Sequence, residues 1–140
     1  MKRLTAALLL FSACCLAQQQ PNVGQNACRD PNAILQAVAV STSGTSAVQV
    51  IALASGAKVF LCSMNVVGVS GTSPTFSLVY GTGTNCGTGQ TTIVGSFGTT
   101  ANTLYPFNNP FFVTPAGQAV CYLDGGTSPV QRVVLTYVQR

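Results

Sequence analysis

The sequence predicts an all-β fold: an antiparallel two-sheet sandwich, jelly-roll-like or immunoglobulin-like, with about nine strands. Three observations lead there. Short runs rich in Val, Thr, Phe and Tyr recur between clusters of Gly, Ser, Thr and Pro. Apolar residues alternate along several of these runs with the period of a half-buried strand. Helices long enough for right-handed crossovers between parallel strands are missing after the N-terminal stretch.

The chain opens Met1-Lys2-Arg3, continues with the apolar run Leu4 to Phe11, and then carries small residues up to Ala17. Basic, then apolar, then small is the layout of a secretory signal over 1–17. The apolar run is well short of the roughly 20 residues a helix needs to cross a bilayer. Cleavage after Ala17 places Cys15 and Ala17 at the positions a signal peptidase inspects, and frees Gln18 to cyclise. A rival site, Phe11-Ser12-Ala13-Cys14, is built like a bacterial lipobox, with Phe11 where Leu is usual. A lipid on Cys14 would tether the domain to a membrane surface. Release is the favoured outcome, so the expected location is secreted or cell envelope, with membrane as a partner only through Cys14.

Residues 18–32 are polar, with Pro21, Gly24 and Pro31, and read as an extended leader pinned at Cys28. Residues 33–140 form the β domain, and residues 18–140 suffice for one hydrophobic core. Alternation is clearest in Val59 to Val67, which predicts Phe60, Cys62, Met64 and Val66 on one face. Phe76, Leu78 and Tyr80 form a second set, Ala119, Cys121 and Leu123 a third, and Val133, Leu135 and Tyr137 a fourth. Further strands are expected at Ile34–Val40, Ala47–Leu53, Thr91–Phe97, Asn102–Tyr105 and Phe111–Thr114. The Ala-rich stretch 33–54 has some helical character, but its Val, Ile and Thr content and its Ser43-Gly44 break favour two strands. Ser70-Gly71-Thr72-Ser73-Pro74 and Asp124-Gly125-Gly126 are expected to be hairpin loops between neighbouring strands.

Charged residues are 6% of the chain while hydrophobic residues are 47%. Soluble domains carry about 25% charged residues. The hydrophobic content argues against disorder, which leaves assembly as the explanation, since uncharged sheets lack the groups that protect their edges. Beyond the signal the cations are Arg29, Lys58, Arg132 and Arg140, against Asp30 and Asp124, for a net charge of +2. No basic patch interleaved with aromatics is present, so nucleic acid is not an expected partner.

Four cysteines lie beyond the signal: Cys28, Cys62, Cys86 and Cys121. An even number in an exported chain predicts two disulfides, with three connectivities open. The strand faces favour Cys62 with Cys121, which leaves Cys28 to reach Cys86.

Histidine and glutamate are absent. Ser-His-Asp and Cys-His catalysis therefore drop out, together with the commonest metal ligand. Asp30 and Asp124 are far apart in sequence, read as turn residues, and do not suit a two-carboxylate glycosidase. Lys58 is the sole lysine beyond the signal and reads as a solvated strand end. Calcium sites need several carboxylates. The expectation is no enzyme, no cofactor and no metal.

Gly81-Thr82-Gly83-Thr84-Asn85-Cys86-Gly87-Thr88-Gly89 is the most distinctive segment. It lacks the Lys and following helix of a phosphate-binding P-loop. It is expected to be a long exposed loop pinned at Cys86, with Thr82, Thr84, Asn85 and Thr88 as candidates for contacting sugar hydroxyls or a neighbouring subunit. The aromatic cluster 105–112 supplies Tyr105 and Phe107 as an alternative stacking platform for a glycan.

The segments Val59 to Cys62, 81–89, 118–121 and Leu135-Thr136-Tyr137-Val138 resemble those of small phage and bacterial β-sandwich proteins with a Gly-Thr-Gly-x-x-Cys-Gly-Thr-Gly loop. The match covers roughly 55–139 and implies a virion-like or surface structural role, with no activity to carry over. The signal peptide departs from a virion protein made in the cytosol and favours a surface or released protein. The expected function is therefore an exported, non-catalytic structural or adhesive surface protein that self-associates. The alternatives are a carbohydrate-binding module, and a pilin-like fibre subunit whose leader 18–32 completes a neighbour's sheet.

Overall fold

The computed structural model describes residues 27–44, 46–98, 103–106 and 109–140. The signal 1–17, the Cys14 site, leader residues 18–26 and Phe107 lie outside the described residues. Among the described residues seven strands follow in order: β1 Gln36–Ser43, β2 Val48–Ile51, β3 Val59–Thr82, β4 Thr88–Gly98, β5 Thr103–Pro106, β6 Phe112–Val113 and β7 Ala119–Gln139. Every pairing is antiparallel. All seven strands join in one hydrogen-bonded sheet, rather than the two separate sheets expected.

The strand count differs from expectation for one reason. β3 is 24 residues long and β7 is 21, where strands usually span 3–10. Each absorbs two of the expected strands, and neither of the expected hairpin loops exists. The two turn segments face each other instead, with Thr72 opposite Thr127 and Thr75 opposite Gly125. Positive φ at Gly71 (119°), Ser73 (49°), Gly126 (98°) and Ser128 (48°) accompanies a run of register shifts between Gly68 and Thr75. Two breaks placed opposite each other bend a two-stranded ribbon without reversing either chain.

The bend divides the ribbon into two arms. In the first, β1 pairs with β7 over residues 130–137, β7 pairs with the start of β3, and β5 and β6 flank β3. In the second, β2 pairs with the start of β7, which pairs with the end of β3, which pairs with β4. Both arms contribute to one core. Leu61, Met64, Val66, Val133 and Leu135 come from the first, while Ile51, Phe76, Leu78, Val120 and Tyr122 come from the second. The Phe76 and Tyr122 rings lie 5.1 Å apart. Burying each such side chain stabilises the fold by about 1.5–3 kcal/mol.

A bulge corrects one expected face. The β3–β7 register shifts between Leu61 and Ser63, so Cys62 has no direct opposite. One extra residue moves every later side chain to the other face. Phe60 and Cys62 therefore pack with Ala27 and Val138 in a satellite cluster, while Leu61, Met64 and Val66 enter the main core. In β7, Val133, Leu135 and Tyr137 do share the core side. Ala119 and Cys121 face a third cluster with Val79 and Cys86.

Candidate functional site

The expected cysteine pairing is replaced by Cys28–Cys62 and Cys86–Cys121, with Cα separations of 5.6 and 6.1 Å. Cys121 lies opposite Val79, at the far end of β3 from Cys62. Cys62 and Cys121 therefore lie at opposite ends of the β3–β7 ribbon, each bonded to a cysteine outside it.

Cys86–Cys121 organises the glycine-rich segment. The expected long exposed loop is a tight connection between β3 and β4, with a short 3-10 turn at Thr84–Cys86. Gly83, Asn85 and Cys86 all have positive φ, and the Gly87 N–H donates to the Thr84 carbonyl at 3.0 Å. Gly81 is required by close approach: a Cβ there would lie 2.9 Å from the Thr88 carbonyl oxygen. Thr84, Asn85 and Thr88 are exposed and Thr82 is half-buried. The Asn85 Oδ1 accepts from the Gln49 N–H at 3.2 Å, and the Thr82 hydroxyl donates to the Thr88 carbonyl at 3.4 Å. Two of the four candidate contact groups thus have partners within the protein.

The aromatic segment is partly committed to packing. Tyr105 sits in β5 opposite Met64. Phe111 and Phe112 pack against the main core, and Phe112 lies 5.7 Å from the Tyr80 ring.

Cys28–Cys62 fastens the described end of the leader to β3. Residues 27–32 are not extended, since Ala27–Arg29 form a 3-10 turn. Asp30 then accepts from the Asn32 N–H at 2.9 Å and the Ala33 N–H donates to the Asp30 carbonyl at 3.0 Å. Such Asp turns hold a chain locally without a ladder.

The other end of the chain arrives at the same corner. Arg140 and Lys58 exchange two backbone hydrogen bonds of 2.8 and 3.1 Å. The Arg140 guanidinium pairs with Asp30 at 2.8 Å and stands 5.3 Å over the Phe60 ring. The Asn32 N–H, then the Arg140 guanidinium, hold the Asp30 carboxyl below its ordinary value of 3.8. This corner was not legible beforehand, because its partners are 110 residues apart. The one available signal was scarcity, with so few charges that an ion pair had few choices.

Asp124 is buried near the bend, opposite Phe76, while Asp30 is at the chain-end corner. The two carboxylates do not meet. Among the described residues no group of three His, Cys, Asp or Glu gathers to hold a metal ion.

β1 is a terminal strand of the sheet. Its eight residues, Gln-Ala-Val-Ala-Val-Ser-Thr-Ser, pair with β7 in an unbroken register from Gln36–Tyr137 to Ser43–Val130. Among the described residues its other edge has no strand beside it.

No family model matches the chain, and no curated protein matches it. Among solved structures it is distantly similar to a chain of the Bacillus endospore appendages, reported as a novel family of disulfide-linked pili. That match has 14% identity over 76% of this chain and 85% of the other, with a TM-score of 0.48. A second similarity is to the cyanophage Pam1 capsid asymmetric unit, with 18% identity over 98% of this chain and 93% of the other, and a TM-score of 0.33.

Proposed function

We propose that this chain is a non-catalytic structural subunit, exported and disulfide-bonded, that assembles with copies of itself in the manner of a pilin-like fibre subunit. The β1 edge carries this reading. Eight residues with a regular register and no charge, proline or bulge present a row of backbone donors and acceptors on one side. Soluble proteins usually guard such an edge with Lys, Pro or an irregularity. The two disulfides fit an oxidising compartment.

The mode of assembly follows from the corner. A donor strand must be free of its own domain, and residues 27–32 are held to theirs by Cys28–Cys62 and Asp30–Arg140. Edge pairing is therefore the route for the described part of the chain, at β1 rather than at β4, the other terminal strand, whose pairing with β3 is broken by register shifts. We also read the bent ribbon as a jelly roll, the strands of one arm (β1, β7, β3, β5 with β6) facing those of the other (β2, β7, β3, β4). The single core shared by both arms supports that closure.

The test is sedimentation velocity over a wide concentration range, on the natural chain and on Ala37→Lys/Ala39→Lys, both exposed β1 positions. Concentration-dependent assemblies that the lysines abolish, with both disulfides retained, are the expected result. A natural chain that stays monomeric throughout, or lysines without effect, would sink the reading.

A further inference from the structure

Independently of assembly, the chain-end corner has the composition of a surface that meets anionic lipid. Arg29 and Lys58 are both exposed there. Arg140 is bonded to Lys58 through the backbone and to Asp30 through its side chain. Three of the four cations beyond the signal thus gather at one end with a single carboxylate, for a local side-chain charge of +2.

The same end exposes three large aliphatic side chains. Ile34 and Leu35 are 77% and 55% exposed and immediately precede Gln36, which pairs with Tyr137 near the end of β7. Their neighbour Ala33 packs into the satellite cluster with Phe60 and Val138. Leu53 is 45% exposed, and the adjacent Ala52 carbonyl accepts from the Gln139 side-chain amide at 2.9 Å. Ile34, Leu35 and Leu53 therefore border the last residues of β7 from two directions, and Lys58 and Arg140 lie beside them.

We propose that this end of the domain docks on an anionic lipid surface. Ile34, Leu35 and Leu53 enter the boundary between headgroups and acyl chains, and Arg29 and Lys58 meet lipid phosphates. Apolar side chains ringed by cations are the combination that binds such an interface. Charge argues against a second copy as the occupant, because a two-fold contact here would bring this net positive end against another of the same sign. The position of the leader agrees, since the chain outside the described residues joins at Ala27, on this same end.

The test is co-sedimentation of the disulfide-bonded Cys14→Ser chain, in which no acyl group can contribute, with two kinds of vesicle. One is phosphatidylcholine alone, the other an equal mixture with phosphatidylglycerol. The expected result is recovery with the anionic vesicles at low salt and release at high salt, where charges are screened. Arg29→Gln/Lys58→Gln and, separately, Leu35→Ser/Leu53→Ser each lower the partition coefficient roughly tenfold or more. Both variants must keep the two disulfides and the parent's thermal midpoint, and Ile34→Ser replaces the leucine pair if that one does not. No recovery with either vesicle, equal recovery with both, or variants that bind like the parent would overturn the proposal. So would sedimentation without vesicles that the Leu35→Ser/Leu53→Ser change removes, which would make this end a contact between copies.

Discussion

The Gln131 side chain, fully buried in β7, donates from Nε2 to the carbonyl of Thr75 in β3 at 2.7 Å. Gln131 is opposite Gly68 in the first arm, while Thr75 begins the second. The bond therefore crosses the bend and helps hold the two arms at their angle. Gln131→Leu keeps the volume but removes a donor from the half-buried Thr75 carbonyl, at a cost of about 0.5–1.5 kcal/mol. Urea unfolding should show a lower midpoint with an unchanged slope; an unaltered midpoint would mean that the bond does nothing for stability.

The bend also depends on Gly126. Its φ is 98°, and a Cβ there would come within 2.5 Å of the Ser73 carbonyl oxygen and 2.9 Å of that of Thr72. Both obstacles are backbone, so neither can move aside cheaply. Gly126→Ala should cost about 1–3 kcal/mol or more from strain alone. Gly95→Ala serves as the reference, because no atom lies within 4 Å of its added Cβ and its φ is not positive. Similar melting temperatures for the two variants would contradict the bend as described.

The sequence made strand content and the last core face legible, since alternation in 133–137 is uninterrupted. It did not make the bend legible. Ser70–Pro74 and Asp124–Gly126 each carry the local chemistry of a hairpin loop, and only their pairing with each other turns two reversals into one fold of a ribbon. The satellite cluster was hidden for a related reason. A bulge at Cys62 shifts the phase of β3 by one residue, and single-sequence alternation has no marker for a residue that is skipped in the register. Cysteine connectivity failed for another reason: Cys62 and Cys121 lie at opposite ends of the β3–β7 ribbon, a separation that face alternation does not reveal. At the glycine-rich segment the disulfide anchor was legible, whereas the tightness came from left-handed residues such as Asn85 and Cys86, whose types do not demand it.

Disulfide connectivity is directly measurable. Proteolysis without reduction should release Cys28 linked to Cys62 and Cys86 linked to Cys121, and no peptide joining Cys62 to Cys121. Replacing either pair by serine should cost about 2–4 kcal/mol, chiefly by freeing the unfolded chain. The Cys28→Ser/Cys62→Ser protein should also become sensitive to protease within residues 27–32, while the Cys86→Ser/Cys121→Ser protein keeps those residues protected.

The corner ion pair sets a pH dependence with a definite sign. The Asp30 carboxyl is held below 3.8 in the folded protein. Its contribution is thus complete above that value and fades as pH falls through the folded-state value. Asp30→Asn should lower the melting temperature slightly at neutral pH and converge with the natural protein in strong acid. Curves that stay parallel down to the lowest pH would show that Asp30 is not the titrating group.

The length of the central ribbon has a temporal consequence. β3 meets β7 from Val59–Gln139 at one end to Gly81–Ala119 at the other, so half of every one of these pairs comes from β7, which follows all the other described strands in the chain. Until β7 emerges, β3 can pair only with β4, β5 and β6, and the shared core has only one of its two long walls. A chain that emerges N-terminus first would therefore complete its core only when β7 emerges. Late closure of this kind also delays the Cys86–Cys121 bond, whose second half is in β7, until that strand is in place.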